Sequence, residues 1–169
     1  WSKVEDGTIP TRVTHNDTKI NNILFDRQGE VLCAIDLDTV MASTSLNDFG
    51  DAIRSYANTG DEDDRDLSRV GLSLEMFRAY TEGYLSQRAK QLTDSEIDHL
   101  AFSARYITFE QVLRFLMDYI DGDTYYKVKY PGHNLVRTHA QYRLLQSMEE
   151  HYGEMCRIVR ETVDKYRKA

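Results

Sequence analysis

Residues 15–22 read His15-Asn16-Asp17-Thr18-Lys19-Ile20-Asn21-Asn22, and this stretch, with the apolar residues that follow it, decides the fold. Its H-x-D-x-x-x-x-N spacing is typical of a loop for phosphoryl transfer. In such a loop one carboxylate faces the acceptor hydroxyl, and an amide oxygen further along reaches a metal on the nucleotide phosphates. A second acidic residue must complete that metal site from a neighbouring strand. Asp36 is placed to do so, because it closes an apolar run that begins at Val31.

Each polar side chain of this loop has a predicted task. Asp17 would accept the proton of the acceptor hydroxyl, or hold that oxygen in line with the γ-phosphorus, since phosphoryl transfer depends mostly on positioning and charge neutralisation. Lys19 would neutralise charge on the transferring group; a solvated lysine is the alternative. His15 belongs to the same catalytic set, but we expect it to hydrogen-bond the backbone and shape the loop. Asn22 offers Mg²⁺ a neutral oxygen, and that ion needs few protein ligands.

Two aspartates compete for the second metal position. Asp48-Phe49-Gly50 spells the D-F-G signature of protein kinases, whose aspartate holds Mg²⁺. In those enzymes this aspartate follows the catalytic one by about twenty residues. Asp36 lies 19 residues after Asp17 and directly follows a strand-like run, whereas Asp48 lies 31 residues after Asp17. We therefore predict Asp36 as the metal ligand and Asp38 as an assisting ligand on the same strand face. Asp48 is expected to open a helix or to brace the catalytic loop.

The hydrophobic pattern predicts a mainly helical chain with a small β-hairpin, an α+β fold in which residues 1–169 form a single domain. Residues 1–48 would carry the catalytic loop and the metal-site hairpin, with strands over 22–26 and 31–37. Residues 49–169 would form a helical part that binds the substrate.

Three helices of this second part have clear boundaries in the sequence. One is predicted over residues 73–88, and the next begins at the capping box Thr93-Asp94-Ser95-Glu96 and ends near Asp121. Residues 123–134 are expected to form a loop. A last long helix would start near Leu135, with its apolar stripe facing the core; a stripe that faces a partner is the alternative.

Composition excludes several classes of protein. The chain is 41% hydrophobic and carries a formal charge of −7 without a cluster of Lys or Arg, so nucleic acid is not an expected partner. No apolar run approaches the ~20 residues of a membrane span, and the start of the chain has no signal-peptide pattern, so a cytoplasmic protein is expected. Cys33 and Cys156 lie in no zinc-ligand spacing and are expected to be small buried hydrophobes.

Taken together, the motifs resemble the aminoglycoside phosphotransferase and choline kinase superfamily, and within it most of all the N-acetylhexosamine 1-kinases. Six stretches carry the resemblance, and they are residues 15–22, 35–41, 48–54, 114–119, 122–126 and 134–137. The first is shared across the superfamily, and only the later ones point to the sugar kinases. The resemblance implies the C-terminal lobe of a protein-kinase-like fold.

The resemblance also implies an activity, which is ATP-dependent and Mg²⁺-dependent phosphorylation of the anomeric hydroxyl of N-acetylglucosamine or N-acetylgalactosamine. Arg114, Tyr126 and Arg137 would then bind the sugar, because an aromatic face stacks on a pyranose and an arginine fork grips its oxygens. Two alternatives stay open for these residues: Tyr126 as plain core, and Arg114 as the ion-pair partner of Asp118. A choline, homoserine or aminoglycoside kinase, or a non-catalytic kinase-like binding module, remains the alternative for the chain.

One departure from the family pattern concerns the nucleotide. Neither a G-x-G-x-x-G loop nor a V-A-I-K-like strand precedes His15. The chain is therefore expected to hold the base, the metal ligands and the acceptor pocket but only half of the ATP site, with an N-terminal lobe of the same protein as its partner. On its own it is expected to have negligible kinase activity.

Overall fold

The computed structural model describes residues 2–167, which form a mainly helical fold with two small antiparallel strand pairs, of which the sequence predicts one. The elements in chain order are α1 (Ser2–Glu5), β1 (Arg12–Thr14), β2 (Ile23–Phe25), β3 (Val31–Ala34), β4 (Met41–Ser43), α2 (Ser45–Tyr56), α3 (Leu74–Arg88), α4 (Asp94–Ile120), α5 (His133–Glu150) and α6 (Tyr152–Arg167). This arrangement is consistent with the helical C-terminal lobe of a kinase-like fold.

The strands form two separate pairs. β2 and β3 make the expected hairpin, with Ile23 opposite Ala34, while β1 pairs with β4 and places Thr14 opposite Met41. The prediction that the second hairpin strand continues to residue 37 is wrong. The strand ends at Ala34 because Asp36 adopts a left-handed conformation, with φ at 62°, and a turn of 3₁₀ helix follows at Leu37–Thr39. The short helix α1 was not expected either.

The helix starts follow the local signals. The Ser73 side chain caps α3 by accepting a hydrogen bond from the backbone N–H of Met76. At α4 both bonds of the capping box are present: Glu96 N–H donates to Thr93 Oγ1 at 3.2 Å, and Thr93 N–H donates to Glu96 Oε2 at 2.8 Å. The predicted starts of these two helices are confirmed to within a residue.

The single last helix predicted from about Leu135 is instead two helices, α5 and α6. His151 leaves the helical conformation, with φ at −103° and ψ at 8°, and its ring Nδ1 lies 2.8 Å from the Ser147 carbonyl. Gly153, a poor helix former, lies two residues further on. The stripe nevertheless faces the core as predicted, with buried members on both sides of the break; they are Ala140, Leu144, Met148, Met155, Val159 and Val163.

Helix α4 lies at the centre of the helical part and packs against α2, α5 and α6, while α3 packs on α6 and α2. The side chains of Phe49 and Phe77 are fully buried in this core. The hairpin is different, because every residue of β3 is exposed and Cys33 is not the buried hydrophobe that the sequence suggested. Within residues 2–167 no helix combines the length and apolar character that crossing a bilayer requires.

Replacing Gly50 by alanine is expected to lower the free energy of unfolding by about 1–3 kcal/mol, the usual cost of overpacking. A Cβ at this position of α2 would lie 2.6 Å from the Ser103 carbonyl oxygen and 2.7 Å from Ile107 Cγ1, both on α4. Gly83→Ala is the matched control, because a Cβ there meets nothing within 4 Å and alanine favours the helix. Urea unfolding of both variants checks this, and an unchanged Gly50→Ala midpoint would contradict the close packing.

Candidate active site

The carboxylate of Asp17 is held by two donors from its own loop. Lys19 Nζ lies 2.7 Å from Asp17 Oδ2, and Asn22 Nδ2 donates to the same oxygen at 2.8 Å. Burial raises the pKa of Asp17, but these hydrogen bonds and the nearby charge of Arg54 outweigh burial, so its pKa lies below the usual range. Asp17 is therefore ionised at neutral pH.

Helix α2 fixes the catalytic loop through Asp48. The two carboxylate oxygens of Asp48 accept hydrogen bonds from the backbone N–H groups of His15 at 3.1 Å and Asn16 at 2.7 Å. Its backbone carbonyl accepts a third from Thr18 Oγ1 at 2.6 Å. Asp48 lies in the first turn of α2, so it both opens that helix and braces the loop, as predicted from the sequence.

The ring of His15 joins the catalytic loop to the segment that ends in Asp36. Its Nε2 lies 3.0 Å from the carbonyl oxygen of Ile35, and the carbonyl of His15 accepts a hydrogen bond from Thr39 Oγ1 at 2.6 Å. Both contacts are to or from backbone atoms. The geometry gives His15 a structural position behind the loop, and it does not border the cavity beside Asp17.

Asn22 and Asp36 flank the base of the hairpin, because Asn22 directly precedes β2 and Asp36 follows the end of β3 by two residues. Asn22 is buried, and its Nδ2 donates hydrogen bonds to the carbonyl oxygen and to Oδ2 of Asp17. Its Oδ1 has no described hydrogen bond among residues 2–167. The Ile35 N–H donates to the Asn22 carbonyl at 2.9 Å, so Asp36 lies one residue from this contact, with its carboxylate exposed. One amide and one carboxylate oxygen suit Mg²⁺, which completes its shell with waters and phosphate oxygens.

Asp38 does not share a strand face with Asp36, so the reason given for its assisting role is wrong. Asp36 is left-handed and Asp38 lies in the 3₁₀ turn Leu37–Thr39, where the two-residue alternation of a strand does not apply. In the part of the chain that the structure describes, no three side chains of His, Cys, Asp or Glu are grouped as a metal site. A metal here would rest on Asn22 and Asp36 together with ligands from the nucleotide.

A cavity of about 480 Å³ opens beside Asp17 and brings most of the predicted site together. Asp17, Lys19 and Asn21 line one side of it, and α4, α5 and the loop between them supply the other. The sequence-predicted residues on its lining are Asp17, Lys19, Arg114, Tyr126 and Arg137. His15, Asn22, Asp36 and Asp38 lie outside the lining. The cavity has the size of a small-molecule pocket.

The two alternatives for Arg114 and Tyr126 can now be compared with the structure. Arg114 does not pair with Asp118; its guanidinium carbon lies 5.6 Å from the centre of the Tyr126 ring. Asp118 instead accepts backbone hydrogen bonds from residues 124–126 at 2.8–3.0 Å and one from Asn134 Nδ2 at 2.7 Å. Tyr126 packs on Phe115, with ring centres 4.9 Å apart, but it also lines the cavity.

Sequence reasoning assigned no role to Arg54, although it borders the site. Its guanidinium is buried and contacts Asp51 Oδ1 at 2.8 Å, Glu62 Oε1 at 2.8 Å and Gln141 Oε1 at 3.4 Å. Burial lowers the pKa of Arg54, but its carboxylate partners outweigh burial and raise it. The sequence does indicate one of these contacts, because Asp51 and Arg54 are three residues apart on one helix and this spacing brings their side chains together. Glu62 and Gln141, distant in sequence, gave no such signal.

Comparison with known proteins assigns the chain to a family. Residues 3–90, just over half of the chain, match the phosphotransferase enzyme family, APH. The matched segment contains the catalytic loop, Asp36 and Asp48, and it ends before α4. It therefore covers the side of the cavity that carries Asp17 but not the side that carries Arg114 and Tyr126.

Proposed function

Because the chain belongs to the phosphotransferase enzyme family, a kinase-like family, we propose that it phosphorylates an alcohol group of a small molecule at the expense of ATP. The acceptor that we propose is the anomeric hydroxyl of an N-acetylhexosamine, N-acetylglucosamine or N-acetylgalactosamine, and the product its 1-phosphate. The observation that carries the proposal is the ionised carboxylate of Asp17 at a cavity that also presents Tyr126 and two arginines, Arg114 and Arg137.

The residues of the loop divide the work. Asp17 orients the acceptor hydroxyl and takes its proton as the bond to phosphorus forms. Lys19, with its ammonium group beside Asp17, offsets negative charge on the transferring group. Asn22 Oδ1 and the Asp36 carboxylate would hold Mg²⁺, with Asp38 nearby. When bound, that ion neutralises charge on the nucleotide phosphates.

The charges around the cavity favour an acceptor that is not a polycation. Five basic side chains line it, namely Lys19, Arg54, Arg114, Lys127 and Arg137, against two carboxylates, Asp17 and Glu62. A quaternary ammonium or an aminoglycoside would be repelled by this excess of positive charge. A neutral sugar is compatible with it, since the arginines can donate to hydroxyl or amide oxygens while Tyr126 offers a ring face.

We also propose that a nucleotide-binding lobe of the same protein covers the hairpin side of this domain. Apolar side chains there are exposed to an unusual degree: Val13 is 83% exposed, Val31 64%, Leu32 62% and Leu37 60%. Exposed apolar side chains of this size are candidates for burial against a partner. Residues 1–169 alone are accordingly expected to show no measurable phosphoryl transfer, whereas a protein that includes the lobe turns over.

A panel of acceptors tests the function. The protein with its nucleotide lobe is supplied with ATP and Mg²⁺ and with N-acetylglucosamine, N-acetylgalactosamine, choline, homoserine or an aminoglycoside, and ADP release is measured. Turnover with the acetamido sugars and acid-labile sugar phosphate as product is the expected result. Turnover with another acceptor alone would overturn the sugar assignment. Binding of a sugar without any ADP release would favour the non-catalytic binding module.

Arg114→Ala is expected to raise the KM for the acceptor by about 10- to 100-fold while kcat changes little. Loss of a hydrogen bond from a charged donor to a bound ligand costs about 1.5–3 kcal/mol, and the proposal gives this arginine a part in acceptor binding and none in the chemical step. Arg143→Ala is the control, because Arg143 contacts only the exposed Glu150 in the described structure. Steady-state kinetics of both variants decide the matter, and an unchanged KM for Arg114→Ala would remove this residue from the acceptor site.

A further inference from the structure

A second polar cavity of about 490 Å³ adjoins the one beside Asp17. The two share part of their lining, namely Lys19, Asn21, Arg54, Glu62 and Arg137. Beyond these shared residues, the second cavity extends between the end of α2, the acidic turn at residues 60–63 and helix α5. Its volume equals that of the first, so it has room for a group as large as the acceptor itself.

Two buried donors at this second cavity have no partner. Gln141 is 0% exposed and borders the cavity, and its Nε2 has no hydrogen bond among residues 2–167. The orientation of this amide is fixed, because Oε1 accepts from Arg54 at 3.4 Å and a flip would set donor against donor. Arg137 Nε, on the lining of both cavities, is likewise buried and unpartnered. An unsatisfied buried donor is costly, and a ligand oxygen would remove that cost.

Most of the charged side chains at the second cavity are paired. Arg54 contacts Glu62 at 2.8 Å, and Lys129 contacts Asp63 at 2.9 Å. Lys19 is paired with Asp17, so Arg137 and Asp61 alone remain on the described lining without a partner of opposite charge. The lining carries four basic side chains against the three carboxylates of Asp61, Glu62 and Asp63, a smaller positive excess than the five against two of the first cavity. The second cavity therefore fits an uncharged group that offers many oxygen atoms.

We propose that this cavity is a second acceptor subsite, which binds an uncharged glycosyl unit attached to the sugar that is phosphorylated. This proposal rests on the proposed function, since the phosphorylated unit occupies the cavity beside Asp17. The glycosyl oxygens accept hydrogen bonds from Gln141 Nε2 and Arg137 Nε, and Asp61 accepts from its hydroxyls. Disaccharides with a reducing-end N-acetylhexosamine are then better ligands than the monosaccharide.

The affinity difference between two sugars tests the subsite. Isothermal titration of the protein with its nucleotide lobe, using N-acetylglucosamine and N,N′-diacetylchitobiose, is expected to give at least tenfold tighter binding of the disaccharide. Gln141→Leu, which removes the buried donor, should reduce that advantage to less than threefold and leave the monosaccharide affinity unchanged. Gln111→Leu is the matched control: Gln111 lines the first cavity only, so both sugars should weaken together.

Gln141→Leu also removes an acceptor for Arg54, so a second variant guards against misfolding. Asp61→Ala changes an exposed side chain that lines the second cavity alone, and it too should lower the disaccharide advantage. Equal affinity of the wild-type protein for both sugars would overturn the subsite while leaving the proposed function standing. An advantage that persists in both variants would overturn it as well. Binding of neither sugar would count against the proposed function and the subsite together.

Discussion

Asp17→Asn is expected to lower phosphoryl transfer by about 10³-fold while the free energy of unfolding stays within about 0.5 kcal/mol of the wild-type value. An amide at this position keeps the shape of the side chain, and its oxygen can still face Lys19 and Asn22, but it cannot take the proton of the acceptor. The comparison uses the protein with its nucleotide lobe and measures kcat at saturating acceptor. Asp98→Asn, an exposed change on α4 away from the cavity, should leave kcat unaltered.

The same residue predicts the acid side of the pH profile. A carboxylate whose pKa is depressed below its ordinary 3.8 stays ionised until the pH falls below about 4. Activity should therefore not decline because of Asp17 between pH 7 and pH 5. A decline of activity between pH 7 and pH 5 that is caused by protonation of Asp17 would contradict the hydrogen bonds described for Lys19 and Asn22. Retained turnover of Asp17→Asn would remove Asp17 from its role outright.

Glu96→Gln is expected to destabilise the chain at neutral pH by about 3 kcal/mol, because it leaves one partner of a buried ion pair uncompensated. Glu96 is 0% exposed, and its two oxygens contact Arg12 Nε and Nη2, each at 2.7 Å. Ser45 Oγ donates to it at 2.6 Å, and Thr93 N–H at 2.8 Å. The pair joins β1 to the start of α4 and α2, so its loss affects the junction of the strand and helix parts.

The effect of Glu96→Gln should fade in acid. Burial raises the pKa of Glu96, but the hydrogen bonds from Arg12, Ser45 and Thr93 outweigh it and lower the pKa from 4.5 to about 2. A carboxylate with a depressed pKa stabilises the fold above its unfolded pKa, and this contribution is lost as the pH falls from about 4.5 towards 2. Urea unfolding at pH 7 and pH 3 measures it, with Glu110→Gln, an exposed residue of α4, as control. A constant difference between wild type and Glu96→Gln at the two pH values would refute the assignment.

How far the sequence predicts the site depends on how local each contact is. The Asp17 loop and the Thr93 capping box are read from spacing because their partners lie within a few residues. No such local signal predicts the left-handed conformation of Asp36, which ends β3 early. The runs Ile23-Leu24-Phe25 and Val31–Ala34 have a similar apolar pattern, and this pattern does not show where the second strand ends. The break at His151 is similar, because the apolar stripe continues across it and periodicity alone gives one helix.

The acceptor side of the cavity was predicted only in outline. Arg114 and Tyr126 came from resemblance, whereas the contacts that position them are formed between distant segments. Asp118, for example, accepts hydrogen bonds from the backbone of residues 124–126 and from the side chain of Asn134. The sequence around Asp118 contains no signal that predicts these contacts. Arg54 and Gln141 meet only because α2 and α5 both pack on α4. Such contacts are consequences of the tertiary fold and become visible with it.

Under the proposed function, the bracing of the loop at residues 15–22 by Asp48 has a consequence for how the acceptor preference can change. The loop is anchored to α2, whereas Arg114, Tyr126 and Arg137, the residues that we propose for acceptor binding, lie on α4, α5 and the segment between them. In the proposed reaction, the residues for the chemical step and those for acceptor choice therefore belong to different stretches of the chain. On that proposal, we expect substitutions after residue 110 to change which alcohol binds without displacing the carboxylate of Asp17. The proposed selectivity could then diverge while the loop at residues 15–22 stays the same.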